Sequence, residues 1–136
     1  MLIMALCCVF IPCAWAAKTT AIIANHQSDI DQLDEYDLMA IFSMRKQYWD
    51  NGLNIQIITL RSNHPLHQQF TLEHLGVLPY QLERGWSRNI FRGVGRKPIV
   101  VDSVSELIDL VNKTSGAIGY IDANIDIDDE FLRVIK

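Results

Sequence analysis

The stretch VDSVSELIDLVNKTSGAIGYID, residues 101–122, decides the fold of this chain. Ser103 followed three residues later by Glu106 is a capping box, which satisfies two free backbone donors at the start of a helix. Apolar residues then recur at helical spacing before Gly116, a residue type that commonly ends helices. The apolar run 117–121 follows and is typical of a buried strand. A capped helix that leads directly into a buried strand predicts one half of an α/β layer.

The remainder of the chain has the same alternation of strand and helix patterns. Asp34 is placed to cap one helix, and Pro65 suits the first position of another. A third helix is predicted after Leu78, with aromatic and aliphatic residues on one face. The predicted strands are residues 20–24, 53–60, 98–101, 117–121 and, at one edge, 131–135.

Length and charge narrow the class of protein. A chain of 136 residues fits one domain that buries a sizeable core without a metal or a disulfide. The formal net charge of -4 argues against a nucleic-acid-binding protein. We therefore expect no nucleic-acid partner.

Residues 1–16 have the pattern of a cleaved signal peptide. Residues 2–15 are uncharged and almost entirely apolar, and Ala14-Trp15-Ala16 matches an A-x-A cleavage signal. The run is too short for a stable membrane span, so we expect none in the mature chain, residues 17–136. All three cysteines lie in this leader, which leaves none for a disulfide in the mature domain. The pattern predicts export to the periplasm, with a buried N-terminal helix as the alternative.

Three blocks of the chain resemble, in the same order, the phosphate-type periplasmic substrate-binding proteins of ABC transporters. TSGAIGY, residues 114–120, resembles a GAIGY signature near the end of those proteins. The other blocks are residues 33–52, which end in WDNG, and residues 86–98, with the pattern W.R.IF.G.GR.P. The resemblance implies an α/β fold: a single lobe of a periplasmic-binding-protein-like fold, with a mostly parallel sheet and helices on its faces. It also implies an exported module that binds phosphate or another oxyanion.

The same resemblance implies an anion site in TLRSNHPLHQQF, residues 59–70. In the family this position holds a serine- and glycine-rich turn before a helix, where free backbone N–H groups bind an oxyanion. We expect ligand contacts from Arg61, Ser62, His64, Leu66 and His67. His64 stands where the family usually has a serine, and no Ser-Gly-Thr sequence is present.

Family members that import phosphate have two lobes with the ligand between them, and this chain resembles the second lobe. Three interpretations stay open. The lobe binds an anion weakly on one surface, or a second copy (a homodimer) or another envelope protein completes the cleft, or the fold is reused for protein contact. The last is the alternative function: a periplasmic protein-interaction or sensor-accessory module that has lost solute binding.

Arg84, Arg88 and Arg92 recur every four residues and therefore line one face of the third predicted helix. One interpretation is a solvated face whose charges pair with the acidic first helix or the acidic tail. The other is a docking site for an anion or an acidic partner protein.

The sequence contains no complete metal-binding or catalytic pattern. The acidic segment 29–37 lacks the glycine and the terminal glutamate of an EF-hand loop and is typical of a helix-capping surface. Zinc sites need three or four convergent ligands, so we interpret His67 and His74 as the polar margin of an apolar helix face. No cysteine nucleophile and no Gly-x-Ser-x-Gly elbow occur in the mature chain. We expect no metal, no cofactor and no enzymatic activity.

Overall fold

The computed structural model describes residues 19–127 and the backbone of residues 132–135. Within them the strands are β1 (Thr20–Asn25), β2 (Gln56–Leu60), β3 (Ile99–Val101), β4 (Ala117–Asp122) and β5 (Leu132–Ile135). The helices are α1 (Glu35–Phe42), α2 (Pro65–Phe70), α3 (Pro79–Phe91) and α4 (Val104–Lys113), with a 3-10 turn at His26–Ser28 and a π-helical turn at Thr71–Leu75. The expected signal peptide, residues 1–16, and most of the acidic tail lie outside the described residues.

The strands form one sheet in the order β3-β2-β4-β1-β5. β2 runs parallel to both of its neighbours, β3 and β4, whereas β1 is antiparallel to β4 and β5. Among the described strands, β1 is thus the one that opposes the common direction. The predicted α/β class, the mostly parallel sheet and the edge position of β5 are confirmed.

β4 is buried between helices on both faces of the sheet. Successive residues of a strand point to opposite faces, so Gly119 and Tyr120 face opposite sides of the sheet. Gly119 faces α4, where an added Cβ would lie 2.8 Å from Cδ2 of Leu107. Tyr120 faces α2, and its ring stacks on that of Phe70 with centroids 4.1 Å apart. This double burial explains why residues 117–121 form a continuous apolar run.

The predicted helix starts are confirmed by their caps. Ser103 Oγ accepts the N–H of Glu106 at 3.2 Å, and the Glu106 carboxylate accepts the N–H of Asp102 at 3.1 Å. Asp34 Oδ1 accepts the N–H of Asp37 at 2.7 Å. The bonds to the N–H groups of Glu106 and Asp37 satisfy donors that the first helical turn leaves free, whereas the Glu106 carboxylate binds the residue before the cap rather than Ser103 itself.

Two of the blocks recognised in the sequence meet in space. Trp49 is buried, and its Nε1–H donates to the carbonyl oxygen of Gly116 at 2.9 Å. Gly116 has φ +77, and a Cβ there would lie 2.1 Å from the carbonyl oxygen of Asn54. Glycine is therefore required at the point where the Trp49 loop passes under the start of β4.

The segment between α2 and α3 departs from the predicted pattern. The α-helix that starts at Pro65 ends at Phe70, and one π turn carries the chain to Gly76. That turn places Glu73 on β1, where its carboxylate accepts the backbone N–H and hydroxyl groups of Thr19 and Thr20 at 2.6–3.3 Å. β2 also begins at Gln56 rather than at residue 53. No helix in the described part of the chain is long and apolar enough to cross a membrane.

Candidate functional site

The predicted anion loop, residues 61–67, lies at the carboxyl edge of the parallel strands. It connects the end of β2 to the start of α2. The end of β3 lies beside it, because Leu60 pairs with Val101 in the parallel ladder. Ligands of open α/β sheets bind in the crevice at this edge.

Arg61 is exposed and is oriented by a neighbouring strand end. Its Nε–H donates to Oδ1 of Asp102, the residue that directly follows β3. The hydrogen bond and the charge of Asp102 raise the pKa of the Arg61 guanidinium above its ordinary value. A guanidinium has five N–H donors, so the Nε contact leaves those of its two terminal nitrogens for another acceptor.

His64 caps α2 with its own side chain. Its Nδ1 accepts the N–H of Leu66 at 3.1 Å, as the oxygen of a serine or asparagine cap would do. Pro65 has no N–H to offer. Of the first three residues of α2, His67 alone therefore keeps a backbone N–H that could bind an anion while the cap is intact. This geometry is poorer in donors than the glycine-rich turn implied by the resemblance.

Leu66 and His67 have their side chains in the core. Leu66 is 6% exposed and His67 is 1% exposed. Any contact they make to an anion on the loop must therefore come from the backbone in this conformation. The interpretation of His67 as the polar margin of a helix face is wrong, because α2 turns this side chain toward β2 and β4 rather than to solvent.

The buried His67 belongs to a polar network beneath the loop. Its Nδ1 lies 2.5 Å from the hydroxyl of Tyr120 and 3.2 Å from that of Thr59. The Tyr120 hydroxyl also accepts the N–H of Leu60 at 2.9 Å. Burial is the main cause that lowers the pKa of His67 to about 4, with the nearby His64 adding to it. Burial likewise raises the pKa of the Tyr120 phenol, so both rings are neutral at pH 7.

Ser62 is half-buried in the turn that follows Arg61. Within the described part of the chain its hydroxyl makes no hydrogen bond. The loop therefore brings together a cationic side chain, an uncommitted hydroxyl and one helix N–H, all of which are hydrogen-bond donors.

Arg84 and Arg88 of α3 and Arg92, the residue that caps its C-terminus, are all exposed. The Arg84 guanidinium lies over the Tyr80 ring, 5.8 Å from its centroid. Among the described residues, no ion pair joins these arginines to an acidic side chain. The predicted pairing with the first helix is thus absent there.

Asp102, Thr59 and Tyr120 are site residues that sequence reasoning did not single out. Asp102 follows a predicted strand, so parallel pairing with β2 could have placed it beside Arg61. Tyr120 belongs to the GAIGY signature, but its contact with Leu60 depends on the register between β2 and β4. Among residues 19–127 there is no group of three or more histidine, cysteine, aspartate or glutamate side chains arranged to hold a metal ion.

Solved structures of phosphate-transport proteins share this fold. An ABC-type phosphate transport receptor from Vibrio cholerae matches with a TM-score of 0.63 and 20% identity, over 87% of this chain and 45% of that one. PstS from Borrelia burgdorferi matches with a TM-score of 0.58 and 21% identity, over 77% and 40% of the two chains. A Clostridium perfringens protein, described as a phosphate ABC transporter substrate-binding protein and solved with bound phosphate, gives 0.64 and 17%, over 87% and 44%.

These matches concern the fold. The chain spans less than half the length of each of the three proteins. It has a periplasmic-binding-protein-like fold that resembles PstS, and it corresponds to a single lobe of that fold. Neither a protein-family model nor a curated protein matches its sequence.

Proposed function

We propose that this chain is a non-catalytic, exported solute-binding module that binds an oxyanion, with phosphate as the preferred ligand. The ligand lies on residues 61–67 at the carboxyl edge of β2. The observation that carries the proposal is Arg61, whose guanidinium is held by Asp102 beside the start of α2. The likeness to phosphate-transport proteins supports the choice of phosphate.

Each predicted contact has a distinct part in this proposal. Arg61 supplies a charge-assisted pair of hydrogen bonds, and Ser62 supplies a hydroxyl donor. His67 contributes its backbone N–H, and Leu66 does so only when His64 releases its cap. With few donors on one open surface, the affinity is expected to lie in the millimolar range, about 4 kcal/mol of binding free energy.

The export and the cleft are part of the same proposal. A signal peptide at residues 1–16 would deliver the domain to the periplasm. A second copy or an envelope protein that covers the loop would add donors and exclude water, which would raise the affinity above that of the isolated lobe.

A thermal-shift titration with phosphate tests the proposal. A ligand that binds only the folded chain stabilises it by about 1.4 kcal/mol at ten times its dissociation constant, so the melting temperature should rise with phosphate concentration. Sodium chloride at matched ionic strength should not reproduce the rise. Arg61→Gln should weaken binding at least about tenfold, because a charged hydrogen bond contributes roughly 1.5–3 kcal/mol.

Arg45→Gln is the matched control, since Arg45 is also exposed but lies after α1. It should leave the phosphate response unchanged. An equal loss in both variants, or no phosphate response in the parent chain, contradicts the proposal.

A protein-interaction function is the second candidate. It is favoured by apolar side chains on α3 that remain exposed, above all Phe91.

A further inference from the structure

A groove of about 240 Å³ lies between α3 and the edge strand β3. Its apolar lining consists of Leu60 at the end of β2, Trp86 and Ile90 of α3, Pro98 before β3, and Val100 of β3. Thr59, Glu83, Ser87 and Lys97 supply the polar part of the lining. The volume is below the roughly 300–1,000 Å³ of small-molecule sites, so the groove fits an inserted side chain better than a whole solute.

Large apolar side chains stand exposed around this groove. Phe91 is 94% exposed and Val100 is 55% exposed. Phe91 follows the groove-lining Ser87 by one helical turn and therefore lies on the same side of α3. The apolar face predicted for α3 is in fact split, since Leu82 and Trp86 are buried while Ile90 and Phe91 are not. An exposed apolar group of this kind marks an interaction surface.

β3 offers backbone groups next to the same surface. It is the last strand on its side of the sheet, and β2 occupies one of its two edges. Within the described residues no strand pairs with its outer edge. An unpaired edge can accept an extended segment of another chain through main-chain hydrogen bonds.

The surroundings of the groove are strongly basic in an acidic chain. Residues 83–97 contain five basic residues and one acidic residue, a net charge of +4, against -4 for the whole chain. Lys97 lines the groove, Arg96 is exposed beside it in the chain, and Arg84 and Arg88 are exposed on the adjoining solvent-facing side of α3. A second copy docked through the same face would bring these like charges together, which opposes self-association and favours an acidic partner.

We propose that this α3–β3 groove binds an extended, acidic segment of a partner protein. The segment pairs with the outer edge of β3, inserts one large apolar side chain beside Ile90 and Val100, and places carboxylates against Arg84, Arg88 and Lys97. Thr59 and Leu60 at the end of β2 also line the groove, but the proposed partner contacts use none of the anion-loop residues 61–67. The proposal specifies which chemistry the partner must carry.

Fluorescence anisotropy with three labelled synthetic peptides tests the proposal. The first has acidic ends and a Val-Phe-Val centre, the second keeps the centre with lysine ends, and the third keeps the acidic ends with a Gly-Ser-Gly centre. The first peptide should bind with a dissociation constant below about 1 mM, at least about tenfold tighter than the others. Equal binding of the lysine peptide, or of the Gly-Ser-Gly peptide, overturns the proposal, as does no binding of the first.

Matched variants locate the binding. Phe91→Ser and Val100→Ser change exposed side chains and should weaken the first peptide about fivefold or more. The double variant Arg84→Gln with Arg88→Gln should weaken it about threefold to tenfold, because each surface ion pair strengthens binding by up to about fivefold. Lys46→Gln with Lys113→Gln removes the same charge elsewhere and should have no effect.

Equal weakening by both double variants overturns the proposal, because binding would then follow net charge alone. Sedimentation of the chain without peptide tests whether the groove binds a second copy of the chain. Self-association that Val100→Ser abolishes would assign the groove to a second copy and overturn the proposed acidic partner.

Discussion

Tyr120 joins the GAIGY signature to the candidate anion loop. Its hydroxyl accepts the N–H of Leu60, the residue before Arg61, and its ring stacks on Phe70 of α2. If the hydroxyl donates to Nδ1 of His67, the neutral imidazole must carry its proton on Nε2, a buried atom with no hydrogen-bond partner. The network therefore holds the end of β2 and the start of α2 together, at the cost of one unsatisfied donor.

Tyr120→Phe should destabilise the fold while preserving the ring packing. The substitution leaves the Leu60 N–H without its acceptor and removes the nearer of the two hydroxyls at the His67 imidazole, a cost of about 1–3 kcal/mol. Denaturant unfolding measures the change. Tyr48→Phe, at a tyrosine that is 58% exposed, should stay within about 0.5 kcal/mol of the parent. Equal effects at the two sites would contradict the role of the network.

His67 should make stability depend on pH. Its pKa is about 4 in the folded chain against 6.5 for the free side chain, so the unfolded chain takes up the proton first as the pH falls. The stabilisation is complete above pH 6.5 and is lost as the pH falls through 4, with an upper value of roughly 3 kcal/mol. Burial raises the pKa of Glu73, but the hydrogen bonds from Thr19 and Thr20 outweigh this effect and lower it. The stabilisation that Glu73 contributes is therefore lost at lower pH than most of the stabilisation from His67.

Unfolding free energies measured between pH 7 and pH 5 check this dependence. His67→Gln should flatten the curve over that range, whatever its effect on stability at pH 7. His26→Gln, at an exposed histidine, should keep the parent slope. An unchanged slope in His67→Gln would exclude His67 as the titrating group.

At the scale of single residues, the sequence located the loop but not the direction of its side chains. The position of Arg61 after an apolar strand was enough to place it at a strand end. The burial of His67 could not be predicted, because it depends on how α2 rotates against β2 and β4. The role of His64 as a cap was likewise hidden, since histidine is not a preferred capping residue.

At the scale of elements, the structure requires glycine at some positions and merely contains it at others. Gly116 combines a positive φ with the close approach of Asn54, whereas Gly85 lies inside α3 with open space where a Cβ would project. The first position needs glycine for its geometry, and the second does not.

Gly116→Ala should therefore destabilise the chain by at least about 2 kcal/mol, from left-handed strain and a steric clash. Gly85→Ala should stabilise it by about 0.5–1 kcal/mol, because alanine lowers the entropy cost of the helix. Thermal or denaturant unfolding of the two single variants measures both. A tolerated Gly116→Ala would contradict the packing of the Trp49 loop under β4.

Elements with strong local signals were predicted well. The caps at Asp34 and Ser103 fixed two helix starts, and the apolar run at 117–121 fixed the buried strand. The π turn at Thr71–Leu75 was missed because no spacing of residues in the local sequence indicates it. The turn depends on a tertiary contact, the hydrogen bonding of Glu73 to the start of β1. The exposure of Phe91 was missed for a similar reason, since periodicity identifies an apolar face but not what covers it.

At the scale of the whole molecule, the chain is one lobe with two candidate surfaces that meet at the end of β2. The anion loop lies at the carboxyl edge of β2, and the docking groove lies between α3 and β3. The fold class and the single lobe could be predicted because several family blocks occur in the family's order. Ligand affinity could not, because it depends on how many donors converge and on what covers the loop.

The most direct test of phosphate binding is a two-dimensional amide NMR titration of the mature chain with phosphate at constant ionic strength. The proposal predicts saturable shifts at Arg61, Ser62, His64 and His67, with only small changes along α3. No shift up to about 50 mM phosphate, or saturable shifts confined to α3 and β3, would contradict it.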